Sequence, residues 1–126
     1  MASASDFYRV EEEPARGLVR VTRTDVRFPS LEEMKAAHDE LAPIIRRLTG
    51  KKLLLDFSGG PPGRNDDAFE SASLPVIRAL EQTFEKVAVL VRTRAGELQV
   101  RRLAKQDHRE PSVFFEEKDA LRWLTG

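Results

Sequence analysis

The chain lacks several features that would assign it to a specialised class. None of its 126 residues is a cysteine, which excludes a disulfide framework, a thiol nucleophile and a cysteine zinc site. Lys+Arg and Asp+Glu each number 21, so there is no basic excess to favour a nucleic-acid partner. No apolar run approaches the roughly 20 residues of a membrane span, and MASASDF does not resemble a secretory signal. We therefore expect a cytoplasmic protein.

What is present predicts one folded α/β domain. The composition, 40% hydrophobic and 33% charged, is ordinary for a globular chain of this length. Apolar and polar residues alternate over residues 7–12 and 18–24, which predicts an N-terminal β-hairpin. Helical periods then alternate with short apolar strands, which favours a mostly parallel sheet flanked by helices. We predict a disordered tail over residues 1–6 and a single domain over residues 7–126.

The helices carry specific boundary signals. The phrase SLEE, beginning at Ser30, is a capping box that predicts a helix start. Pro43 lies inside that helix and predicts a kink, because proline has no amide hydrogen to donate. A second helix is predicted from about residue 66 to 85. Pro75 is expected to interrupt it, with Ser73 capping its second half.

The phrases KKLLLDF and KVAVLVRT predict two buried parallel strands with both faces covered. The side chains expected in these central strands are Leu53, Leu54, Leu55, Val87, Val89 and Val91. Trp123, in the closing phrase EEKDALRWL, is expected to pack the last helix onto the sheet.

The stretch LLLDFSGGPPGRNDDAFE leads from the first of these strands into the second helix. In an esterase-like enzyme, Ser58 of this stretch would be the nucleophile. However, Asp56 occupies the position at which the G-x-S-x-G nucleophile elbow has its first glycine. A base would have to come from His38 or His108, the only histidines in the chain. The GGPPGR phrase also departs from a phosphate loop, because its prolines remove amide donors. No catalytic residue and no cofactor are predicted.

Two charged groups allow more than one interpretation. Asp66, Asp67 and Glu70 could suggest a metal site, but acids at a helix start are better explained as capping and dipole compensation, and we predict no metal. A local basic zone surrounds the third helix, either as a solvated face or as a contact for an acidic partner. It comprises Arg92, Arg94, Arg101, Arg102, Lys105 and Arg109.

The element order and the phrase KKLLLDFSG resemble the STAS domain, the fold of anti-sigma factor antagonists and sulphate-transporter tails. The ending SVFFEEKDALRWL resembles the SpoIIAA-like branch of that family. The resemblance runs from about Phe7 to Leu124 and implies a non-enzymatic, regulatory, protein-binding domain of bacterial signalling. Its implied partner is a regulatory protein, such as a kinase or an anti-sigma-like factor, with the domain itself a monomer or weak dimer.

The same resemblance implies a docking surface on the loop and the start of the second helix. The family carries a phosphorylatable serine there, within D-S-[ST]-G, whereas this chain reads NDDAFESAS. Aligning Asp66 with the family aspartate places Asp67 at the phosphoserine position, as a fixed negative charge. The expected docking residues are Ser58, Gly59, Gly60, Arg64, Asn65, Asp66 and Asp67, and the candidate phosphoacceptors are Ser58, Ser71 and Ser73.

Two alternatives remain open. The SpoIIAA-like branch resembles folds that hold apolar ligands between helices and sheet, and Pro43 and Pro75 could splay two helices to open such a pocket. The chain would then be a carrier or sensor of a lipid-like molecule. The other alternative is an esterase-like enzyme that uses Ser58.

Overall fold

A computed structural model describes residues 2–3, 6–48, 52–60, 67–106 and 112–126. Its strands are β1 (Ala2–Ser3), β2 (Tyr8–Glu13), β3 (Leu18–Arg23), β4 (Lys52–Asp56), β5 (Lys86–Leu90) and β6 (Ser112–Phe114). Its helices are α1 (Leu31–Arg47), α2 (Asp67–Thr83), α3 (Arg94–Gln106) and α4 (Glu117–Thr125), with a short 3₁₀ helix at Pro14–Arg16.

The strands form one six-stranded sheet whose spatial order follows the chain, β1 to β6. The first three strands are antiparallel, and β3 to β6 are parallel. The predicted fold class, an α/β domain that opens with a hairpin and continues into a mostly parallel sheet, is confirmed. Ala2 pairs with Val10 at the sheet edge, within the segment predicted to be a disordered tail.

The order of the strands decides where the helices lie. Helices α1, α2 and α3 each connect one parallel strand to the next in the same direction across the sheet. Right-handed crossovers that all step one way place their helices on one face. That face buries Leu53 and Leu55 against α1 and α2. The opposite face buries Leu54 against α4.

The predicted core strands are largely confirmed. Leu53, Leu54, Leu55, Val89 and Val91 are buried, although Val91 lies just beyond β5. Val87 is only half-buried.

The prediction for Trp123 is borne out in part, because its ring contacts Phe114 of β6 and the Lys86 side chain of β5 only at the edge of the sheet. The Trp123 side chain is 37% exposed, and α4 packs onto the sheet through Ala120 and Leu124. Trp123 lies at the sheet edge beside Phe114, with ring centroids 5.9 Å apart. The nine-residue helix can aim only a narrow stripe at the sheet, and that stripe is filled by the other two side chains.

The helix signals had mixed outcomes. Ser30 caps α1 as predicted, because its Oγ accepts a hydrogen bond from the amide of Glu33 at 3.2 Å. Helix α2 is not interrupted at Pro75, and Ser73 does not cap a second half but donates its hydroxyl to the carbonyl of Phe69. The carbonyl that Pro75 leaves without an amide donor belongs to Ser71, which lies on the exposed side where water can reach it.

Candidate functional site

A cavity of about 580 Å³ lies between the sheet and helices α1, α2 and α3, on the face of the sheet that buries Leu53 and Leu55. Ligand pockets in proteins usually measure about 300–1,000 Å³, so this one is large enough for a small molecule. The apolar side chains of its wall include Val21, Leu55, Val87, Val89 and Val91 from the sheet side, Met34 and Leu41 from α1, Phe69, Val76, Ile77 and Leu80 from α2, and Val100 and Leu103 from α3.

The sequence builds this cavity with small side chains on opposing walls. Strand β5 presents Val87 and Val89, and α3 presents Gly96 and Ala104. Protein interiors are normally close-packed, so facing walls of small residues leave a gap unless longer side chains reach across it. Val87 is half-buried because it faces this space, whereas Ala88, its neighbour on the other face, is fully covered by α4.

One charged side chain lies deep in the cavity wall. Arg23 is the last residue of β3, and alternation along the strand places it on the same face as Val19 and Val21. It is only 8% exposed. Its Nη1 donates hydrogen bonds to the backbone carbonyls of Phe7 at 3.2 Å and Thr24 at 2.9 Å. Burial lowers the pKa of Arg23, but an arginine in a protein stays protonated at neutral pH.

Aromatic rings surround the Arg23 guanidinium. Its Cζ lies 4.2 Å from the ring centroid of Phe28 and 5.7–5.8 Å from those of Tyr8 and Phe7. Phe7 and Phe28 also contact each other, with centroids 4.7 Å apart. A cation over aromatic faces is stabilised by the ring quadrupole, so these rings hold the guanidinium in place without neutralising its charge.

A histidine and a tyrosine complete the polar part of the wall. The hydroxyl of Tyr8 and Nε2 of His38 are 3.0 Å apart. Burial raises the pKa of Tyr8 to about 12, with Arg23 opposing the shift. Burial also lowers the pKa of His38, while the Ala72 carbonyl and Asp39 counter it and Arg23 adds to it. Both side chains are therefore uncharged at neutral pH.

The two ring nitrogens of His38 differ in their surroundings. Among the described residues, its buried Nδ1 has no partner with hydrogen-bond geometry, although the Ala72 carbonyl lies near the ring. An unpaired donor or acceptor in that position costs about 1–3 kcal/mol. When Nε2 accepts from the Tyr8 hydroxyl, the neutral imidazole carries its proton on Nδ1.

The acidic residue Glu70 in the cavity wall forms an ion pair within the chain. Its Oε2 lies 2.6 Å from Nη2 of Arg102, and Glu70 is 6% exposed. Part of the predicted basic zone is likewise paired within the chain, since Arg94 and Arg101 both bond Glu97 and lower its pKa. The zone is in part an intramolecular ion-pair network rather than a free basic face.

The turn after β4 is fixed by a side chain. Asp56 Oδ1 accepts hydrogen bonds from the amide of Ser58 at 3.0 Å and from its hydroxyl at 2.6 Å. This arrangement is an Asx turn, in which an aspartate replaces a backbone acceptor. The other oxygen, Oδ2, lies 3.5 Å from Nη1 of Arg20. Ser58 lines the cavity near the turn, but neither nitrogen of His38 bonds to it in the described part of the chain.

The predicted docking residues are only partly within the described chain. Arg64, Asn65 and Asp66 lie outside it, and Asp67 is described only as the first residue of α2. His108 and Arg109 also lie outside it.

The remaining predicted residues split between turn and helix. Ser58, Gly59 and Gly60 form the turn after β4, where Gly60 packs against Arg23 so closely that an added Cβ would lie 2.9 Å from its Cγ. Ser71 is exposed on α2, and Ser73 lines the cavity.

The described residues hold neither a metal cluster nor a membrane-spanning helix. They contain no cluster of three or more histidine, cysteine, aspartate or glutamate side chains that could hold a metal ion. Within the same residues, no helix is both long and apolar enough to cross a membrane.

No protein-family model matches the chain, and no curated protein matches it either. The resemblance to STAS domains is therefore still a prediction, and the site is best interpreted from its own geometry.

Sequence reasoning missed Arg23, Tyr8 and Phe28 as members of a site. The signal for Arg23 was available in the phrase LVRVTR, where a charged residue falls in phase with two buried valines. The convergence of Tyr8 and Phe28 on it had no local signal, since that depends on strand pairing and on the loop before α1.

Proposed function

We propose that this domain is a non-enzymatic binding module that holds a small apolar ligand between its sheet and helices, as a carrier or sensor. The observation that carries the proposal is the cavity of about 580 Å³, walled by aliphatic side chains from β5, α2 and α3. Closed protein cores rarely leave voids larger than a water molecule. A space this large, with apolar walls and a few polar groups at one end, is typical of a ligand site.

The polar groups support binding rather than catalysis. Ser58 donates its hydroxyl to Asp56, and Nε2 of His38 faces the Tyr8 hydroxyl. A serine nucleophile needs a base within hydrogen-bond reach and an orienting group behind that base. The contacts of Ser58 and His38 in this wall instead resemble those of groups that hold a turn and a ring in place.

Native mass spectrometry and a neutral fluorescent probe test the proposal together. We expect purified protein to retain an apolar adduct in the mass spectrometer, and the protein stripped of it to bind Nile red. Val100→Phe should reduce Nile red binding severalfold, because Val100 is half-buried on α3 and lines the cavity, so that the ring would fill part of its volume.

Leu98→Phe is the matched control. Leu98 lies on the same helix, is 44% exposed and does not line the cavity. The control should therefore bind Nile red like the wild type. If Val100→Phe binds Nile red as tightly as Leu98→Phe does, the ligand does not occupy the cavity and the proposal is wrong.

A second candidate function is docking of a regulatory protein on the turn after β4. Phe57 favours it, because this side chain, which also lines the cavity, is 36% exposed beside a turn closed by the Asp56–Ser58 hydrogen bonds. Exposed aromatic residues on fixed loops often anchor protein partners. Phe57→Ala should weaken capture of a regulatory partner from cell extract, whereas Phe115→Ala, at a residue 49% exposed elsewhere, should not. Equal capture by both variants would refute docking at Phe57.

The charge-mimic hypothesis belongs to this second candidate. A carboxylate at the start of α2 would be favoured by the helix dipole and would stand in for part of a phosphoserine's charge. Asp67→Asn removes that charge with nearly the same shape. Unchanged affinity of this variant for the partner would refute the hypothesis.

A further inference from the structure

The cavity combines an apolar interior with a buried guanidinium, that of Arg23, which has no anionic partner among the described residues. Glu70, a buried carboxylate of the cavity wall, forms its ion pair with Arg102 and not with Arg23. No carboxylate of the described residues lies within 4 Å of Arg23. A buried charge without a counter-charge is costly and is normally found paired.

We propose that the ligand is an amphipathic carboxylate, whose head group pairs with Arg23 while its apolar tail fills the cavity. This inference rests on the proposed function, because it assigns the chemistry of the ligand that the cavity would hold. Arg23, 8% exposed, lines the cavity at the end where β3 finishes. The aliphatic wall begins beside it with Val21 and Leu55.

The hydrogen bonds of Arg23 leave donors for such a head group. Within the described chain, the bonds to Phe7 and Thr24 both come from Nη1. Nη2 and Nε, which form one side of the planar guanidinium fork, donate to nothing there. A carboxylate fits two neighbouring donors of an arginine with two parallel hydrogen bonds. The single buried charge matches a monoanion better than a phosphate dianion.

The environment of Arg23 fixes its position before any ligand arrives. Phe28 lies over the guanidinium, and Gly60 approaches the Arg23 side chain so closely that an added Cβ would lie 2.9 Å from Cγ. A group held in its bound position loses little rotamer entropy when a ligand binds. The same closeness means that a methyl group at residue 60 would displace Arg23 without removing its charge.

A matched pair of ligands separates the head group from the tail. Decanoate and decan-1-ol have the same chain length, but only decanoate is charged at pH 7.5. In displacement of Nile red from wild-type protein, we expect decanoate to act at a concentration at least about tenfold lower than decan-1-ol, as for a hydrogen-bonded charged group. Arg23→Gln should abolish this preference, so that decanoate displaces Nile red no better than decan-1-ol does.

Two glycine variants keep the test valid if Arg23→Gln does not fold. Gly60→Ala would place a Cβ 2.9 Å from Cγ of Arg23, whereas a Cβ at Gly59 would meet nothing within 4 Å. We therefore expect Gly60→Ala to lower the preference for decanoate and Gly59→Ala to retain it. Circular dichroism establishes which variants are folded before binding is compared.

The outcomes separate the two proposals. Displacement by both ligands at equal concentrations would overturn the carboxylate assignment and leave the proposed apolar site intact. Displacement by neither ligand, or no binding of Nile red, would overturn both. Stronger displacement by decyl phosphate than by decanoate would overturn the monoanionic assignment. A preference for decanoate that persists in both Arg23→Gln and Gly60→Ala would place the head group away from Arg23.

Discussion

Leu54 and Leu55 are consecutive residues of β4 on opposite faces of the sheet, and they provide a direct test of the cavity. Leu54 is 0% exposed and packs against Leu18, Ala120 and Leu124 under α4. Leu55 is 6% exposed and lines the cavity on the other face. The same substitution by alanine at each position therefore removes the same atoms from two different environments.

The two costs can be worked out from these environments. Leucine to alanine removes three carbon groups, and about 0.8 kcal/mol per group gives a transfer cost of about 2.4 kcal/mol. At Leu54 the substitution also creates a new void, which raises the expected loss of unfolding free energy to about 3–5 kcal/mol. At Leu55 it only enlarges an existing space, because part of the side chain has no neighbour to lose. The expected loss there is about 2 kcal/mol.

Urea denaturation of ligand-free protein, followed by circular dichroism, measures both losses. Ligand must be removed first, because binding to the folded state raises its apparent stability. The denaturant dependence of both variants should match the wild type, so that midpoints report free energy. A loss for Leu55→Ala equal to or greater than that for Leu54→Ala would mean that Leu55 is fully packed, and the cavity would be refuted.

Further predictions concern backbone strain and titration. Gly17 has φ 61°, so Gly17→Ala should lower the free energy of unfolding, measured by urea denaturation, by about 1–2 kcal/mol. Gly59→Ala, whose added Cβ would meet no neighbour within 4 Å, should match the wild type. Tyr8 is the only tyrosine, and its ultraviolet absorbance should titrate near its pKa of about 12. The free energy of unfolding should fall as pH rises from 10 to 12, because the unfolded chain loses the Tyr8 proton first. Titration near 10 would refute the burial of Tyr8. The pKa of His38 is lowered, so unfolding free energy should fall below about pH 6.5, where only the unfolded chain takes up the proton. His38→Gln should flatten that slope, and an unchanged slope would assign it to other groups.

Much of the fold could be predicted because its signals are local. Alternation identified the hairpin strands, and the capping phrase at Ser30 located the start of α1 within one residue. The apolar phrases located β4 and β5, and most of their apolar side chains are buried, although β5 ends at Leu90 and Val87 is half-buried. These features depend on side chains a few residues apart, so they are visible in the sequence.

The parts that could not be predicted depend on contacts between distant residues. The exposure of Trp123 follows from how few side chains a short α4 can aim at the sheet. The continuity of α2 through Pro75 depends on which side of the helix meets solvent. The cavity depends on which small residues face one another across β5 and α3. No local sequence pattern predicts the exposure of Trp123, the continuity of α2 or the cavity.

The position of Arg23 connects the fold to the candidate function. The β3 alternation that buries Val19 and Val21 carries Arg23 into the helix-covered face as well, at the end of the strand. A leucine there would extend the core, and a buried charge without a partner carries a cost in stability. The two backbone carbonyls and the ring of Phe28 offset part of that cost. Residues that cost stability in this way are expected mainly at functional sites. The remaining imbalance is the one that an anionic head group in the cavity would remove.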